Sequence, residues 1–391
     1  MAGPVIAREA YSALKDWRYL NQASLGLVPV AATEAMVGFL RDVAQHGNIV
    51  LSDAAEEHIL DDVRASAAQL LDAPVAGIGL VSGASEALGQ IAALLASADG
   101  EVVLVSTDFP SITYPWLAAQ NRLGMSIRWV EDRPDSDLTT ALIDAMSEVT
   151  SVVCVSAVQF ATGTQVDILP LVRRAREIGA RVIIDITQMA GAAPVSMRDW
   201  DADALVCSGY KWLSTHGGVA VLALGQELLG RMPLVVGWKG AAKPFDFQPR
   251  ALSLAAEARK YELSTSAYSS AVGLQQSIHI LMRTGLKCMA EHAKALALEL
   301  ENAVRSEGWA PFRPAVSAAS SCHIVSLRHP TLSAVDVQQE LAEGYRICVS
   351  SRGAGIRVSL HGYNDSEDIT ALAGALGQIG LRQRSRVRAR I

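Results

Sequence analysis

The protein has 391 residues, of which 50% are hydrophobic and 19% charged, and its formal net charge is −6. This length allows one large domain and a smaller one, and the mildly acidic balance gives no reason to expect nucleic acid as a partner. Five scattered cysteines without a Cys-x-x-Cys pair argue against disulfides and zinc, and no apolar run is long enough to cross a membrane, so we expect a soluble, cytoplasmic protein with reduced thiols and no bound metal.

Short apolar runs alternate with helical patterns through the first two thirds of the sequence. Most of these runs are rich in Val and Ile and lack two-residue alternation, which is typical of strands buried on both faces. Their spacing predicts an α/β domain with a mainly parallel, seven-stranded sheet between helices. The predicted strands are Ile78–Val81, Glu101–Val105, Ser126–Val130, Val152–Val155, Arg181–Asp185, Ala204–Cys207 and Gly218–Leu222. The helices predicted between them are Ser85–Ala96, Tyr114–Leu123, Leu169–Gly179 and a weak one after Gln188.

The pattern changes after about residue 262 and predicts a smaller α+β domain. We therefore predict an N-terminal segment over residues 1–19, a large domain over 20–262 and a small C-terminal domain over 263–391. The arginines at positions 382, 384, 386, 388 and 390 are expected to be a solvated terminal run. The predicted elements of the small domain are a helix from Ser269 to Glu307 broken near Gly285, strands His323–Leu327 and Ile356–Leu360, and helices Ala334–Leu341 and Ser366–Leu376.

The segment Val81–Glu86, with the sequence Val-Ser-Gly-Ala-Ser-Glu, follows a predicted strand and opens a predicted helix. Gly83 allows close approach of the backbone, and the N–H groups of a helix N-terminus together with the Ser85 hydroxyl form an anion site. A plain joint between a strand and a helix, with a serine as N-cap, explains the same residues. Both interpretations are open at this point.

A dinucleotide loop is a competing interpretation, because Gly77 and Gly79 followed by Ser82–Ser85 resemble the cofactor loop of short-chain dehydrogenases. That loop should lie near the N-terminus and be followed by a Tyr-x-x-x-Lys pair. The only such pair, Tyr11 and Lys15, precedes it. The order of the motifs therefore argues against an NADP-dependent oxidoreductase.

An acid and a lysine are expected at the ends of two successive strands. Asp185 ends the run Arg-Val-Ile-Ile-Asp, and Lys211 lies in the segment Ser208–Trp212 after the next predicted strand. Open α/β sheets bind ligands at the carboxyl ends of their strands. Pyridoxal 5'-phosphate (PLP) requires a lysine that forms a Schiff base and an acid that keeps the pyridine nitrogen protonated. An exposed lysine and a capping aspartate are each common, but their joint spacing favours a PLP site.

Three polar side chains near this pair are candidates for further cofactor contacts. Gln188, one helical turn past Asp185, is placed to donate to the phenolic oxygen of the cofactor. Ser208 and Tyr210 flank Lys211 and are placed to reach the phosphate.

Together these segments resemble the class V aminotransferase family of fold-type I PLP enzymes over nearly the whole sequence. The stretch around Asn21 is similar to the family's opening strand, and Gly83, Ala84 and Ser85 lie in a segment similar to its phosphate loop. Phe109, in Asp-Phe-Pro-Ser, matches the aromatic residue that stacks on the cofactor. The resemblance implies a PLP cofactor and a substrate contact for Asn21.

Two further segments carry implied roles. Tyr-Glu-Leu-Ser-Thr resembles the family's Glu-x-Gly-Thr, so Thr265 would reach the phosphate of a neighbouring subunit in a homodimer with shared sites, although Ser264 stands where glycine is usual. Arg357 resembles the arginine that holds the substrate α-carboxylate with two parallel hydrogen bonds. Arg352, five residues earlier, is a second candidate for this carboxylate, but a structural ion pair at the surface is the favoured interpretation for it.

Cysteine desulfurases of this family place a nucleophilic cysteine on a loop just before the carboxylate-binding arginine. Here that loop is short, and Cys348 precedes it in a segment with the character of a strand. A buried cysteine in a strand is usually unreactive. This argues against a desulfurase that works through a protein persulfide. Other segments, among them Gly237-Trp238, resemble kynureninases, isopenicillin N epimerase-like enzymes and related carbon–sulfur lyases.

The resemblance implies a shared first step, in which an amino acid displaces Lys211 to form an external aldimine and Lys211 takes the Cα proton. We expect a lyase that cleaves a C–S or C–C bond in the side chain of an amino acid or of its conjugate. An epimerase and an aminotransferase are the alternatives within the family. A non-catalytic PLP-fold sensor usually needs a fused DNA-binding domain, and none fits before Tyr19.

Overall fold

The computed structural model describes the backbone of residues 2–388 and the side chains of residues 2–382. The side chains of the expected arginine run beyond Arg382 lie outside this part of the protein. The strands are β1 Arg18–Tyr19, β2 Ile78–Val81, β3 Glu101–Val105, β4 Ser126–Val130, β5 Thr150–Ser156, β6 Arg181–Asp185, β7 Ala204–Ser208, β8 Ala220–Leu224, β9 Ala310–Pro311, β10 Ile324–Arg328, β11 Ile347–Cys348, β12 Ser350–Arg352 and β13 Gly355–Ser359. The helices are α1 Val30–His46, α2 Asp53–Leu70, α3 Ala84–Leu95, α4 Pro110–Leu123, α5 Leu138–Ala145, α6 Ile168–Glu177, α7 Met197–Trp200, α8 Gln226–Gly230, α9 Tyr268–Thr284, α10 Leu286–Val304, α11 Ala334–Tyr345 and α12 Ser366–Arg388.

The protein forms two compact units, and each combines separate stretches of sequence. The first, which we call the sheet unit, comprises Val28–Ala157 and Val166–Arg283. The second, which we call the terminal unit, comprises the residues up to Leu27, the segment Val158–Gln165 and the residues from Thr284 onward. These compact units are interleaved in sequence, so they do not test the domain boundaries at residues 19 and 262. Those boundaries stay a prediction.

A seven-stranded sheet with the order β2-β8-β7-β6-β5-β3-β4 is the centre of the sheet unit. Neighbouring strands from β4 through β7 are parallel, whereas β8 runs antiparallel to both β2 and β7. Most residues of these strands are buried, as their uninterrupted runs of Val, Ile and Leu require. The predicted α/β class with a mainly parallel seven-stranded sheet is confirmed.

Several predicted element limits shift, and one helix is wrong. The weak helix after Gln188 is a turn, in which the N–H groups of Met189 and Ala190 both donate to the Ile186 carbonyl oxygen. Gly191 has a φ of +95°, and a Cβ there would overlap the Trp212 carbonyl oxygen. Close packing of this turn under the lysine segment therefore prevents a helix.

The predicted long helix divides where the sequence indicated. α9 ends at Thr284 and α10 begins at Leu286, with Gly285 at a φ of +87° between them. Only glycine adopts this conformation readily, which explains the break.

The terminal unit contains an antiparallel sheet with the order β12-β13-β10-β9, and β1 pairs in parallel with β11. Helices α10, α11 and α12 bury their apolar faces in a core that includes residues of β10 and β13. β12 and β13 form a hairpin in which Arg352 is opposite Gly355, so that the connection is the two-residue turn Gly353-Ala354.

A buried ion pair fixes the edge strand of the large sheet. Arg64 of α2 donates from Nη2 to both carboxylate oxygens of Glu262, at 2.8 and 2.6 Å. The same carboxylate accepts the N–H of Leu80 in β2 at 3.0 Å. The pair thus holds β2, and with it the loop that follows β2, against the segment that leads to Thr265.

Arg64→Met is expected to lower the free energy of unfolding by about 3–5 kcal/mol, because it leaves the buried Glu262 carboxylate without its partner. The exposed pair Arg174–Glu177 is a matched control, and Arg174→Met is expected to cost about 1 kcal/mol or less. Urea unfolding of both variants measures the difference. Equal losses of unfolding free energy in the two variants would show that the buried Glu262 carboxylate is tolerated without Arg64.

Candidate active site

Asp185 and Lys211 occupy the positions expected for them at the carboxyl ends of β6 and β7. Asp185 is the last residue of β6, and Lys211 follows β7 after Gly209 and Tyr210. Both side chains are buried. Burial raises the pKa of Asp185, while hydrogen bonds from Thr187 and the charge of Lys211 act in the opposite direction. A carboxyl group and an amine are therefore held out of water at the same end of the sheet.

Thr187 holds the acid in place, and the sequence analysis missed this role. Its backbone N–H donates to Asp185 Oδ1 at 2.7 Å, and its Oγ1 accepts the N–H of Ser208 at 3.1 Å. Thr187 thereby links the end of β6 to the end of β7. The short spacing of Asp185 and Thr187 is the only signal in the sequence for this link.

The ring of Phe109 lies beside the lysine. Lys211 Nζ is 5.1 Å from the centroid of this ring and 5.7 Å from that of Tyr210. Asp108 anchors the Phe109 loop, because its carboxylate accepts the N–H of Phe109 at 2.7 Å and the N–H of Ser156 at 2.8 Å. Asp108 is a second functional position that the sequence analysis did not single out.

The side-chain oxygen of Gln188 accepts a hydrogen bond from Trp212, the residue after Lys211. The indole N–H of Trp212 donates to Gln188 Oε1 at 2.8 Å, and the Trp212 side chain is fully buried. This bond identifies Oε1 as the acceptor end of the amide and the NH2 group as its donor end. Trp212 thereby sets the orientation of the Gln188 side chain, and the donor role towards the cofactor stays a prediction.

The expected phosphate loop begins a helix. α3 starts at Ala84 with Gly83 as its N-cap, and no hydrogen bond from a side chain caps it, so a serine N-cap does not explain the motif. The first N–H groups of a helix have no acceptor within the helix and are available to an anion. Ser85 Oγ lies 2.6 Å from Ser111 Oγ at the start of α4. The loop therefore presents donors of the kind that a phosphate needs.

Thr265 is exposed and lines a cavity of about 400 Å³ in the sheet unit. Ser82, Glu86 and Gly218 line the same cavity. Gln90, one turn of α3 after Glu86, donates to Glu86 Oε1 at 3.1 Å and to the Tyr261 carbonyl oxygen at 3.2 Å. Hydrogen bonds thus tie the phosphate loop to the segment that carries Thr265.

Arg357 belongs to the terminal unit and is buried in the middle of β13. Its Nη1 donates to the Phe160 carbonyl oxygen at 2.8 Å, and its Nη2 donates to Ser24 Oγ. Burial and the charge of Arg352 lower the pKa of Arg357 to about 9. Gly163, at a φ of +74°, holds the Phe160 turn, since a Cβ there would overlap the Ile324 carbonyl oxygen.

Asn21 and Cys348 contact each other in the terminal unit. Asn21 Nδ2 donates to Cys348 Sγ at 3.8 Å, and burial raises the pKa of the Cys348 thiol. Arg352 differs from the expectation of a structural ion pair. It donates to Ser351 O at 2.8 Å and to Ser24 Oγ at 3.2 Å, and no described carboxylate lies within ion-pair distance of it.

The family model described as aminotransferase class-V matches residues 18–372. The protein belongs to the class V aminotransferase family. A probable cysteine desulfurase of Methanothermobacter thermautotrophicus is 26% identical over 391 residues, covering 94% of this chain and 95% of that protein. Among solved structures, a mutant of C-DES with glycine covalently linked to the PLP cofactor gives a TM-score of 0.85 at 22% identity, covering 95% of this chain and 98% of that one.

A second C-DES structure is the complex of this cystine C–S lyase with its reaction product cysteine persulfide. It gives a TM-score of 0.85 at 22% identity and covers 94% of this chain and 99% of that one. At this identity the likeness shows a shared fold.

Membership of the class V aminotransferase family confirms the predicted cofactor, PLP, and the protein is a PLP-dependent enzyme. The residues of the sheet unit fit this cofactor. Asp185 is a buried acid with a raised pKa, and such an acid can pair with the protonated nitrogen of a pyridine ring. The neighbouring amine of Lys211 lies beside the Phe109 ring. Helix α3 supplies N–H donors for a phosphate. Within residues 2–388 no helix is long and apolar enough to cross a membrane, and no cluster of metal ligands occurs in the described part of the protein.

In the apoprotein, Asp185→Asn is expected to raise the free energy of unfolding at pH 7, because the charged form of the buried acid is penalised and its pKa is raised. The gain should shrink as the pH falls and vanish below about 4, the pKa of an unfolded Asp, since the wild-type acid is protonated in both states only below that pH. Urea unfolding between these pH values measures it.

Asp203→Asn is the matched control. Asp203 is also buried, but its Oδ2 accepts the N–H of Val182 at 2.8 Å and its Oδ1 pairs with Arg176 at 3.2 Å. Asn keeps only one acceptor oxygen and no charge, so the substitution weakens the ion pair and leaves one of these donors facing an NH2 group, which should destabilise the protein. A loss of stability in Asp185→Asn at pH 7 would contradict the assigned environment.

Proposed function

We propose that this protein is a PLP-dependent lyase that cleaves a C–S bond in the side chain of an amino acid or of its conjugate. The observation that carries the proposal is the buried pair of Asp185 and Lys211 together with the tight Gly353-Ala354 turn, which leaves no loop for a sulfur-accepting cysteine. The names of the relatives, cysteine desulfurase and cystine C–S lyase, support sulfur chemistry. C–C cleavage is the second possibility within the same lyase class.

The phosphate of the cofactor is assigned to the sheet unit. Gly83, Ala84 and Ser85 at the start of α3 provide the N–H groups and a hydroxyl. Ser208 and Tyr210 are assigned as further contacts of the phosphate. The support for Tyr210 is its position next to Lys211, with its ring 5.7 Å from Nζ.

The ring of the cofactor is assigned to three side chains. Asp185 pairs with the pyridine nitrogen, Gln188 donates its NH2 group to the phenolic oxygen, and Phe109 stacks on the ring. When bound, PLP supplies an aldehyde that joins an amine and a ring that accepts the electron pair left at Cα. A charged Asp185 keeps the ring nitrogen protonated, and the protonated ring accepts the electron pair more readily.

Lys211 is assigned the proton transfer at the substrate Cα. Its Nζ is buried against Phe109, which limits access of water to the proton that it carries. A positioned amine of this kind contributes through general acid–base catalysis. Arg357 is assigned to the α-carboxylate of the substrate, for which its planar fork provides two parallel hydrogen bonds, and Asn21 is assigned as a further substrate contact.

The active form is proposed to be a homodimer with shared sites, located in the cytoplasm. The exposed position of Thr265 on the wall of its cavity supports a role towards a second copy. The five cysteines are free thiols in the described structure, which supports a reducing compartment.

The sulfur is proposed to leave on a small product and not on the protein. Cys348 lies in β11, and burial raises its pKa, although the hydrogen bond from Asn21 to its sulfur acts in the opposite direction. A thiol with a raised pKa is a poor nucleophile because the thiolate is the reactive form.

The test is product analysis of the holoenzyme with a panel of sulfur-containing amino acids. β-Elimination yields pyruvate, ammonia and a thiol or persulfide in equal amounts. Alanine together with a persulfide on Cys348 would instead identify a desulfurase, a racemised amino acid an epimerase, and dependence on a keto acid an aminotransferase. Any of these three results would overturn the proposed lyase reaction.

Cys348→Ser is expected to keep the turnover within about twofold, because the thiol takes no part in the proposed reaction. Lys211→Ala is expected to lower kcat by about 10³-fold or more, since it removes the general acid–base. Lys243→Ala changes an exposed lysine of the same unit and should leave kcat unchanged. A loss of activity in Cys348→Ser comparable to that in Lys211→Ala would contradict the proposal.

A further inference from the structure

Two arginines of the terminal unit converge on one hydroxyl group. Arg352 and Arg357 lie on the adjacent antiparallel strands β12 and β13, on either side of the Gly353-Ala354 turn. The Nη2 atom of each donates to Ser24 Oγ. Two like charges are thus held next to each other, although their repulsion disfavours this arrangement.

Neither guanidinium has an anionic partner within the described residues. The other hydrogen bond of Arg357 runs to the carbonyl oxygen of Phe160, and that of Arg352 runs to the carbonyl oxygen of Ser351. The side chain of Arg357 is only 1% exposed, and its Nε has no hydrogen-bond partner in the described part of the protein. A buried cation without a counter-ion is costly unless a ligand supplies the charge.

The remaining donors define what such a ligand must offer. Each guanidinium has five N–H donors in a planar fork and binds a carboxylate best along one edge of that fork. Arg357 is buried, whereas Arg352 is half-buried nearer to the Gly353-Ala354 turn, which is exposed. Among the described residues both guanidinium groups have only neutral hydrogen-bond partners. Two unit positive charges are neutralised by two negative charges and not by one.

We propose that this pair of arginines selects an amino-acid substrate that carries a second anionic group besides its α-carboxylate. This inference rests on the proposed function in assigning the α-carboxylate to Arg357. Arg352 then binds the second group, a carboxylate or another oxyanion of similar size, and Ser24 holds the two guanidinium groups next to each other. For a C–S lyase, the substrate class is a cysteine-type amino acid or S-conjugate with an acidic substituent.

The test uses simple acids that lack an amino group, so that binding does not depend on turnover. Dissociation constants of propionate, malonate, succinate and glutarate for the holoenzyme are measured by calorimetry at constant ionic strength. One dicarboxylate of the series is expected to bind about tenfold or more tightly than propionate, because a second charge-assisted fork is engaged. Equal affinities of propionate and all three dicarboxylates would overturn the inference.

Variants separate the two arginines. Arg352→Gln should abolish the preference for the dicarboxylate and leave the propionate affinity within about twofold, whereas Arg352→Lys should keep part of the preference because the charge remains. Arg357→Gln should weaken propionate and the dicarboxylate alike. If Arg352→Gln weakens both acids equally, the two arginines share a single carboxylate, and the inference is wrong.

Arg328→Gln is the matched control. Arg328 lies on the neighbouring strand β10, opposite Gly355, and its guanidinium stacks on Phe312 at 4.6 Å. The substitution removes one positive charge from the same sheet and should not change the preference for the dicarboxylate over propionate. A failure of the product analysis leaves this binding result intact, and equal binding of all acids leaves the lyase reaction intact, so the two proposals fail separately.

Discussion

The buried carboxylate of Asp185 is the constraint on which the site in the sheet unit depends. An acid at the tip of a buried strand is unfavourable in water-free surroundings, and its pKa is raised accordingly. The protein compensates with the Thr187 N–H and with the positive charge of Lys211. A cationic ring nitrogen next to Asp185 would complete this compensation. In the proposed assignment, the charge of the bound cofactor therefore offsets the cost of burying Asp185.

Parallel strands make this arrangement possible. β5, β6 and β7 run in the same direction, so their carboxyl ends lie side by side and bring Ser156, Asp185 and Ser208 to one edge of the sheet. Hydrogen bonds then join the loops that follow: Ser156 donates to Asp108, and Ser208 donates to Thr187. The reactive side chains sit on a frame that is rigid because its backbone groups are paired across neighbouring strands.

Much of this could be predicted from the sequence, because the limits of the buried strands along the chain follow from local apolar runs. The positions of Asp185, Lys211 and Ser85 at the ends of such runs were predictable in this way, Phe109 was placed by the family resemblance, and Gly285 marked the helix break. The order of the strands in the sheet was not predicted, because it depends on contacts between segments that are distant in sequence. The turn after Gln188 was not, since it depends on contact between Gly191 and the backbone of Trp212. Contacts between residues that are distant in sequence, such as Ser24 with Arg352 and Arg357, leave no local pattern and appear only in the folded protein.

The most direct test of the account is the position of the covalent link to the cofactor. The purified holoenzyme is reduced with borohydride, digested, and mapped by mass spectrometry for peptides that carry a pyridoxyl group. We expect the group on Lys211 and its loss in Lys211→Ala, whereas Asp185→Asn should keep the site of labelling but lower the affinity for PLP. A pyridoxyl group on another lysine, such as the buried Lys239, or no labelled peptide at all, would contradict it.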